Sequence, residues 1–160
     1  MQSVDFDLAK IQESIEISAA RDLVWEIIAD LDNEPEYWWG TKEIWNVRRN
    51  GNTITRDIVQ NFRNHRISQE VILKPKDEIE IRYLKGLTMG VKYLKLETIE
   101  QDRQRLTAIW KVRFPGIYFL LTLLIGRHIR KGTVDALKRI KKTSEEKEVI
   151  WEQSSDNIKG

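Results

Sequence analysis

Hydrophobic and polar residues alternate along most of this chain, and the alternation predicts a protein built mainly of β-strands. In residues 11–18, Ile15 and Ile17 share one parity with a third isoleucine, and polar side chains occupy the other parity. This period of two is typical of a strand with one buried face. From Val24 to Leu31 the apolar residues recur instead at intervals of three and four, which predicts an amphipathic helix.

A short second helix and up to six further strands are predicted to follow. Pro35 lies in a break after the first helix, and one turn of helix is expected at residues 36–39. Asn50-Gly51 is a strong hairpin signal, and a tight turn is expected between Phe62 and His65. The predicted strands are residues 42–49, 53–62, 65–74, 78–85, 91–100 and 104–114.

The most apolar segment follows these strands, at residues 114–126 (FPGIYFLLTLLIG), where there is no charged residue. As a helix this run would extend only about 20 Å, which is shorter than the ~20 residues needed to cross a membrane. We therefore expect it to begin a long helix that packs against the sheet and continues to about Lys142. The expected buried stripe of its second half comprises Ile129, Thr133, Ala136, Leu137 and Ile140.

The composition is that of a globular chain of 160 residues, with 41% hydrophobic and 32% charged residues. We predict one domain at residues 11–144, a flexible N-terminal segment at 1–10 and a flexible C-terminal tail at 145–160. The absence of cysteine excludes disulfides and thiolate chemistry. It is compatible with a reducing cytoplasm, which is the predicted location, and the first residues lack the pattern of a secretory signal.

Recognisable catalytic and metal-binding motifs are missing. The two histidines, His65 and His128, are far apart in sequence, so no metal site is predicted. There is no G-x-S-x-G nucleophile motif and no glycine-rich phosphate loop. We therefore predict no catalytic residue and no cofactor. The net charge of +2 gives no general indication of a nucleic-acid-binding protein.

The residues around the first helix resemble the beginning of the START-like superfamily, also called SRPBCC or the birch-pollen-allergen superfamily. Residues 15–20 (IEISAA), residues 24–31 (VWEIIADL), Pro35 and Trp38 are similar to its pattern I-x-I-x-A-x-x-x-V-W-x-x-I-x-D with a Pro/Trp stretch. The resemblance implies an α+β helix-grip fold. In this fold a curved antiparallel sheet of six to seven strands surrounds a long C-terminal helix, and two short helices follow the first strand.

Relatives in this superfamily include polyketide cyclases, lipid-transfer proteins, coenzyme-Q-binding proteins and plant hormone receptors. The resemblance therefore implies an apolar ligand between sheet and helix, but it names no chemistry. The candidate lining residues are Ile79, Ile81, Tyr83, Tyr93, Trp110, Val112, Phe114, Ile117, Leu120, Leu121 and Leu124. The same residues would equally form a filled core, and the sequence leaves both interpretations open.

A second hypothesis is an enzyme of the cyclase or dehydratase kind, in which Tyr83 and His65 act as acid–base groups. Asp57 and Glu70 are also expected roughly opposite each other across a hairpin, where two carboxylates could act as a pair. Their expected position on a solvated outer face favours a structural role.

A third hypothesis concerns the basic half of the last helix, where residues 127–142 contain seven Lys or Arg residues and one Asp. The residues expected to contact a membrane or phosphate are Arg127, Arg130, Lys131 and Lys138. The simplest interpretation of these basic residues is a solvated helix face, and the second is a peripheral membrane contact. RNA binding is the third, because no aromatic residues for base stacking lie between the basic residues. The leading hypothesis remains binding or carriage of a lipid, isoprenoid, quinone or polyketide-like molecule.

Overall fold

The computed structural model describes residues 9–86, 88–113 and 120–158, and for Ala9 and Thr122 only the backbone. Within these residues, seven antiparallel strands form one sheet in the order β1-β7-β6-β5-β4-β3-β2. The strands are β1 (Ala9–Ile17), β2 (Thr41–Asn50), β3 (Thr53–Gln60), β4 (Arg66–Lys74), β5 (Glu78–Lys85), β6 (Met89–Glu100) and β7 (Arg103–Arg113). The helices are α1 (Arg21–Ala29), α2 (Glu34–Tyr37) and α3 (Thr122–Ile158), with a 3-10 turn at Leu31–Asn33.

Local turn chemistry determines the register of the hairpins. Asn50 pairs with Thr53 across a turn in which Gly51 has a φ of 59°. Arg63 and Asn64 have φ values of 53° and 52° in the turn between β3 and β4. Turns with positive φ match the right-handed twist of the flanking strands, so both predicted hairpins are present.

Helix α3 packs mainly against strand β1, at one edge of the sheet, and against helix α1. Its residues Thr133, Ala136, Leu137 and Ile140 are buried, as the predicted stripe required, and Ile129 is partly buried against the same core. The core also contains the inner-face residues of β3 to β7. The predicted α+β architecture of an antiparallel sheet, two short helices and a long C-terminal helix is therefore confirmed.

The last helix is longer than predicted, since it continues from about Lys142 to Ile158. Lys141 and Glu145 form an (i, i+4) ion pair of 2.8 Å, and Glu145 also accepts a hydrogen bond of 2.9 Å from the backbone N–H of Ser18. These contacts hold the helix at Glu145, beyond the helix end expected near Lys142. In the described part of α3 beyond Ser144, the side chains are exposed or half-exposed.

Candidate ligand-binding site

Three aromatic rings from separate elements meet on the inner face of the sheet. Tyr83 of β5 stacks on Trp110 of β7 with ring centroids 6.1 Å apart, and Trp38, after α2, meets Trp110 edge-on at 6.2 Å. The indole N–H of Trp110 donates a 3.0 Å hydrogen bond to Thr133 Oγ1 of α3. The Thr133 hydroxyl in turn donates to the Ile129 carbonyl oxygen at 2.7 Å. This aromatic cluster therefore joins the sheet directly to the helix.

Lys92 of β6 lies among these rings. It is opposite Trp110 in the β6–β7 register and only 2% of its surface is exposed. Its Nζ atom is 3.0 Å from the centroid of the Trp38 ring and 4.7 Å from that of a Trp110 ring. Lys92, Leu94 and Leu96 alternate on one face of β6, so the strand pleat that buries the two leucines also buries the lysine.

A buried ion pair lies beside the aromatic cluster. Arg56 Nη2 of β3 is 2.5 Å from Glu34 Oε2 of α2, and the two side chains are 1% and 9% exposed. Arg56 also donates to Gln69 Oε1 at 2.9 Å and to the Leu31 carbonyl oxygen at 3.3 Å. The Thr41 hydroxyl donates to Glu34 Oε1 at 3.3 Å. Both charged groups are thus held by several hydrogen bonds, as buried ions require.

Burial and neighbouring charges shift the pKa values of this site. Burial alone would raise the pKa of Glu34, but the charges of Arg56 and Lys92 and the hydrogen bonds from Arg56 and Thr41 outweigh it and lower the pKa. Burial lowers the pKa of Lys92 to about 7, against the opposing attraction of Glu34. Burial, with the charge of Glu34, raises the pKa of Tyr83, so its hydroxyl stays protonated. A buried lysine whose pKa lies near neutral pH is often found in functional sites.

Among the described residues, the cavity beside these groups is small. A cavity of about 10 Å³, close to the size that holds one water molecule, lies beside Glu34 and Trp38. Ile79 and Ile81, two of the candidate lining residues, line it from β5. This volume is far below the several hundred Å³ of a typical small-molecule pocket, so this cavity does not hold a ligand of that size in the observed conformation.

The structure places the other candidate lining residues in three different settings. Val112 is fully buried on the inner face with Tyr83 and Trp110. Tyr93 lies on the outer face, with its ring 5.8 Å from the amino groups of Lys95 and Lys111, so its predicted inward position is corrected. The candidate residues at surface positions near the start of α3 are Leu120, Leu121 and Leu124, with 81%, 42% and 64% exposure. The candidate residues Phe114 and Ile117 lie outside the described residues.

The carboxylate pair expected on the β3–β4 hairpin does not form. Asp57 pairs with Ser68 and accepts hydrogen bonds from the Ser68 hydroxyl and the Asn46 amide. Glu70 is opposite Thr55 instead, because the register is offset by two residues from the predicted one. His65 lies in the turn before β4 and stacks on Phe62.

The four basic residues of α3 that are candidates for membrane or phosphate contact are exposed. Arg130 pairs with Glu13 at 3.0 Å and Lys131 with Asp135 at 2.9 Å, whereas Arg127 and Lys138 lie at the surface. Within residues 9–86, 88–113 and 120–158, no helix is long and apolar enough to cross a membrane. The same residues contain no cluster of three metal-ligating side chains.

Sequence patterns missed two central residues of the site. The hydrophobic pattern indicates only a helix break around Glu34 and Pro35, and no motif singles out Lys92. The parity of Leu94 and Leu96 would have placed Lys92 on the inner face, and that was the available signal. No sequence pattern indicates that Glu34 is buried, because its partner Arg56 lies far away in sequence and meets it only in the folded protein.

Comparison with known proteins gives similarity at the level of structure. No protein-family model and no curated protein matches the sequence. The fold matches Zhui aromatase/cyclase from Streptomyces sp. R1128 with a TM-score of 0.72 and 15% identity, over 86% of this chain and 94% of that one. It matches the two-domain aromatase/cyclase StfQ of the steffimycin biosynthetic pathway with a TM-score of 0.71 and 17% identity, over 88% of this chain and 52% of that one.

A START superfamily protein from Mycobacterium smegmatis is also similar, with a TM-score of 0.61 and 14% identity over 89% of this chain and 98% of that one. At these identities the likeness establishes the fold.

Proposed function

We propose that this protein, which has the helix-grip fold of the START-like superfamily, binds or carries an apolar small molecule between its sheet and α3. The observation that supports the proposal is the group of Trp38, Tyr83 and Trp110 on the inner face of the sheet. Aromatic walls with a few polar groups are typical of small-molecule sites. The candidate ligands are lipid, isoprenoid, quinone or polyketide-like molecules.

Leucines near the start of α3 support a route for the ligand. Leu120, Leu121, Leu123 and Leu124 are between 42% and 84% exposed. Such an apolar surface marks a binding or interaction region more often than a solvated helix face. We propose that a ligand enters where α3 begins and that Ile125 and Ile129, which pack on the core, mark the inner limit of this opening.

The direct test is native mass spectrometry of the purified protein, with organic extraction of anything bound. We expect wild-type protein to carry an apolar molecule and Trp110→Asp to lose it, because the new carboxylate lies in the proposed site. Trp151→Asp, at a position 68% exposed near the far end of α3, is the matched control and should retain the ligand.

Circular dichroism establishes that both variants are folded. A folded Trp110→Asp variant that carries as much ligand as wild type would contradict the proposed site. If the wild-type protein is isolated empty, the three proteins are compared again after incubation with the neutral apolar dye Nile red.

A cyclase-type enzyme is a second candidate function. It is favoured by Lys92, whose pKa of about 7 suits proton transfer near neutral pH. In that reaction Tyr83 would serve as a proton or hydrogen-bond donor, since its raised pKa keeps the hydroxyl neutral. Tyr83→Phe separates the alternatives when ligand binding and substrate turnover are both measured. In a carrier the variant binds the ligand as wild type does and there is no turnover to lose. In an enzyme the variant still binds the substrate but no longer turns it over.

Peripheral membrane contact is a third candidate. It is favoured by the position of the exposed leucines directly before Arg127 and Arg130, because apolar and basic groups together suit an anionic membrane surface. Such contact would place the proposed ligand opening at the lipid surface, and it is compatible with carriage of a lipid.

A further inference from the structure

The charges buried among the described residues do not balance. Arg56 and Lys92 supply two positive groups, and Glu34 supplies one negative group; all three are at most 9% exposed. Arg56 and Glu34 satisfy each other at 2.5 Å. When Lys92 is protonated, the site therefore carries one uncompensated positive charge, which is costly in an apolar interior.

The amino group of Lys92 can donate hydrogen bonds to a further acceptor. Among the described residues, its Nζ atom forms no hydrogen bond and instead rests over the rings of Trp38 and Trp110. An ammonium group has three N–H donors, and aromatic faces offer only a weak substitute for an oxygen acceptor. The site thus presents unused donors beside an aromatic wall.

We propose that Lys92 is the anchoring point for an acidic oxygen of the apolar ligand, a carboxylate or an enolate or phenolate, whose body lies against Trp38, Tyr83 and Trp110. This inference rests on the proposed function, since it specifies the chemistry of the molecule bound at the same place. The ligand's negative charge balances the unpaired ammonium, and its oxygen fills the free donor positions.

The groups that face Lys92 are consistent with an anion there. Glu34 comes from α2 and Arg56 from β3, and they already form a pair. Tyr83 of β5 stays neutral, and Thr133 of α3 is uncharged and bonded to Trp110. Arg56 adds to the positive potential that attracts an anionic oxygen, and Glu34, which also attracts the charge of Lys92, is already hydrogen-bonded to Arg56.

The pH dependence follows from the same arrangement. In the free protein, Lys92 is protonated below a pKa of about 7 and neutral above it. A carboxylate ligand binds the protonated form, so its affinity should fall as the pH rises from 6 to 9. A neutral ligand of the same shape should bind independently of pH over this range.

The test compares acids with their matched neutral alcohols by displacement of Nile red from the purified protein. The pairs are decanoate with decanol and 2-naphthoate with 2-naphthalenemethanol, so that both linear and planar ligands are covered. At pH 6 we expect wild-type protein to bind each acid about ten- to a hundredfold more tightly than its alcohol, as for hydrogen bonds to a charged group.

Lys92→Met removes the charge with little change in side-chain volume and should bind acid and alcohol equally. Lys111→Met, at an exposed position of β7, is the matched control and should keep the preference for acids. Lys92→Arg should keep the acid preference and lose its decline above pH 7, because arginine stays protonated.

The outcomes separate the two proposals. If wild-type protein binds acids and alcohols equally, or if Lys92→Met keeps the acid preference, the anchoring role is wrong while the apolar site stands. If neither Nile red nor any of the four molecules binds to wild-type protein, the proposed function is wrong, and the anchoring role is refuted with it.

Discussion

At the scale of single residues, the ion pair between Glu34 and Arg56 is the interaction on which the interior depends most. Both side chains are withdrawn from water, so neither charge can be solvated if its partner is lost. Removal of one member of a buried pair typically costs about 3–5 kcal/mol. The pair also fixes α2 against β3, which in turn positions Trp38 after α2.

Glu34→Gln is therefore expected to lower the free energy of unfolding by roughly 3–5 kcal/mol, as measured by urea denaturation at pH 7. Glu36→Gln, at an exposed position of the same short helix, is the matched control and should change stability by less than about 0.5 kcal/mol. Equal, small effects of the two substitutions would show that the buried pair does not stabilise the fold.

The lowered pKa of Glu34 gives this pair a defined pH dependence. A carboxyl group whose pKa is lower in the folded state contributes stability above its unfolded pKa, near 4.5, and loses it as the pH falls through the folded value. We expect the stability difference between wild type and Glu34→Gln to shrink steadily below pH 4.5. A difference that stays constant down to pH 2 would contradict this.

Lys92 makes the free energy of unfolding change with pH in the same direction, but in a higher pH range. An amine whose pKa is lower in the folded state binds fewer protons there than in the unfolded chain, so stability rises with pH between the two values. The free energy of unfolding should therefore increase from pH 7 to pH 10 in wild type, and less steeply in Lys92→Met. Urea titrations at four pH values measure the slope, with Lys111→Met expected to retain that of wild type.

At the scale of secondary-structure elements, the pairing of β6 with β7 depends on a close backbone approach at Gly90. Its φ is +127°, and a Cβ atom there would lie 2.1 Å from the carbonyl oxygen of Lys111. That carbonyl belongs to the neighbouring strand, so it cannot withdraw without disturbing the strand pairing that places Lys92 opposite Trp110.

Gly90→Ala should consequently lower the free energy of unfolding by more than about 3 kcal/mol, because steric overlap adds to the 1–3 kcal/mol of backbone strain. Gly40→Ala, where nothing lies within 4 Å of the added atom, should be nearly neutral. Thermal unfolding of the two variants provides the comparison. A Gly90→Ala variant as stable as Gly40→Ala would show that the two strands separate easily at this point.

Elements were more predictable than the site. The strands and hairpins follow from local alternation and from turn residues such as Asn50-Gly51, which act within a few positions. The extension of α3 beyond Lys142 was missed because its anchoring contact, from Glu145 to Ser18, joins distant parts of the chain. Lys92 was missed because charged residues are rarely buried, so composition argued against the position that its parity indicated.

At the scale of the whole molecule, the charge is distributed unevenly although the net charge is only +2. Basic residues gather on α3 directly after its exposed leucines. The fold itself was predictable from the order of elements and from the resemblance at residues 15–38. An open and a filled interior could not be distinguished from the sequence, because the same apolar pattern is compatible with both.

This distribution gives a prediction for membranes. Wild-type protein should sediment with vesicles that contain phosphatidylserine more than with neutral vesicles, and the difference should diminish as salt increases from 50 to 500 mM. Leu124→Asp should weaken binding at every salt concentration, whereas Ile158→Asp, at the exposed far end of α3, should not. Equal binding to both kinds of vesicle, or stronger binding to RNA than to vesicles, would contradict membrane contact.

The pairing of β1 with β7 has a consequence for the synthesis of the protein. Strand β1 is an edge strand of the described sheet, and Ile17 pairs with Gln104. During translation at 5–20 residues per second, β1 leaves the ribosome roughly 5–20 seconds before its partner exists. Strand β1 therefore stays unpaired until β7 has been synthesised, and β2 to β6 can form their hairpins before β1 joins the sheet.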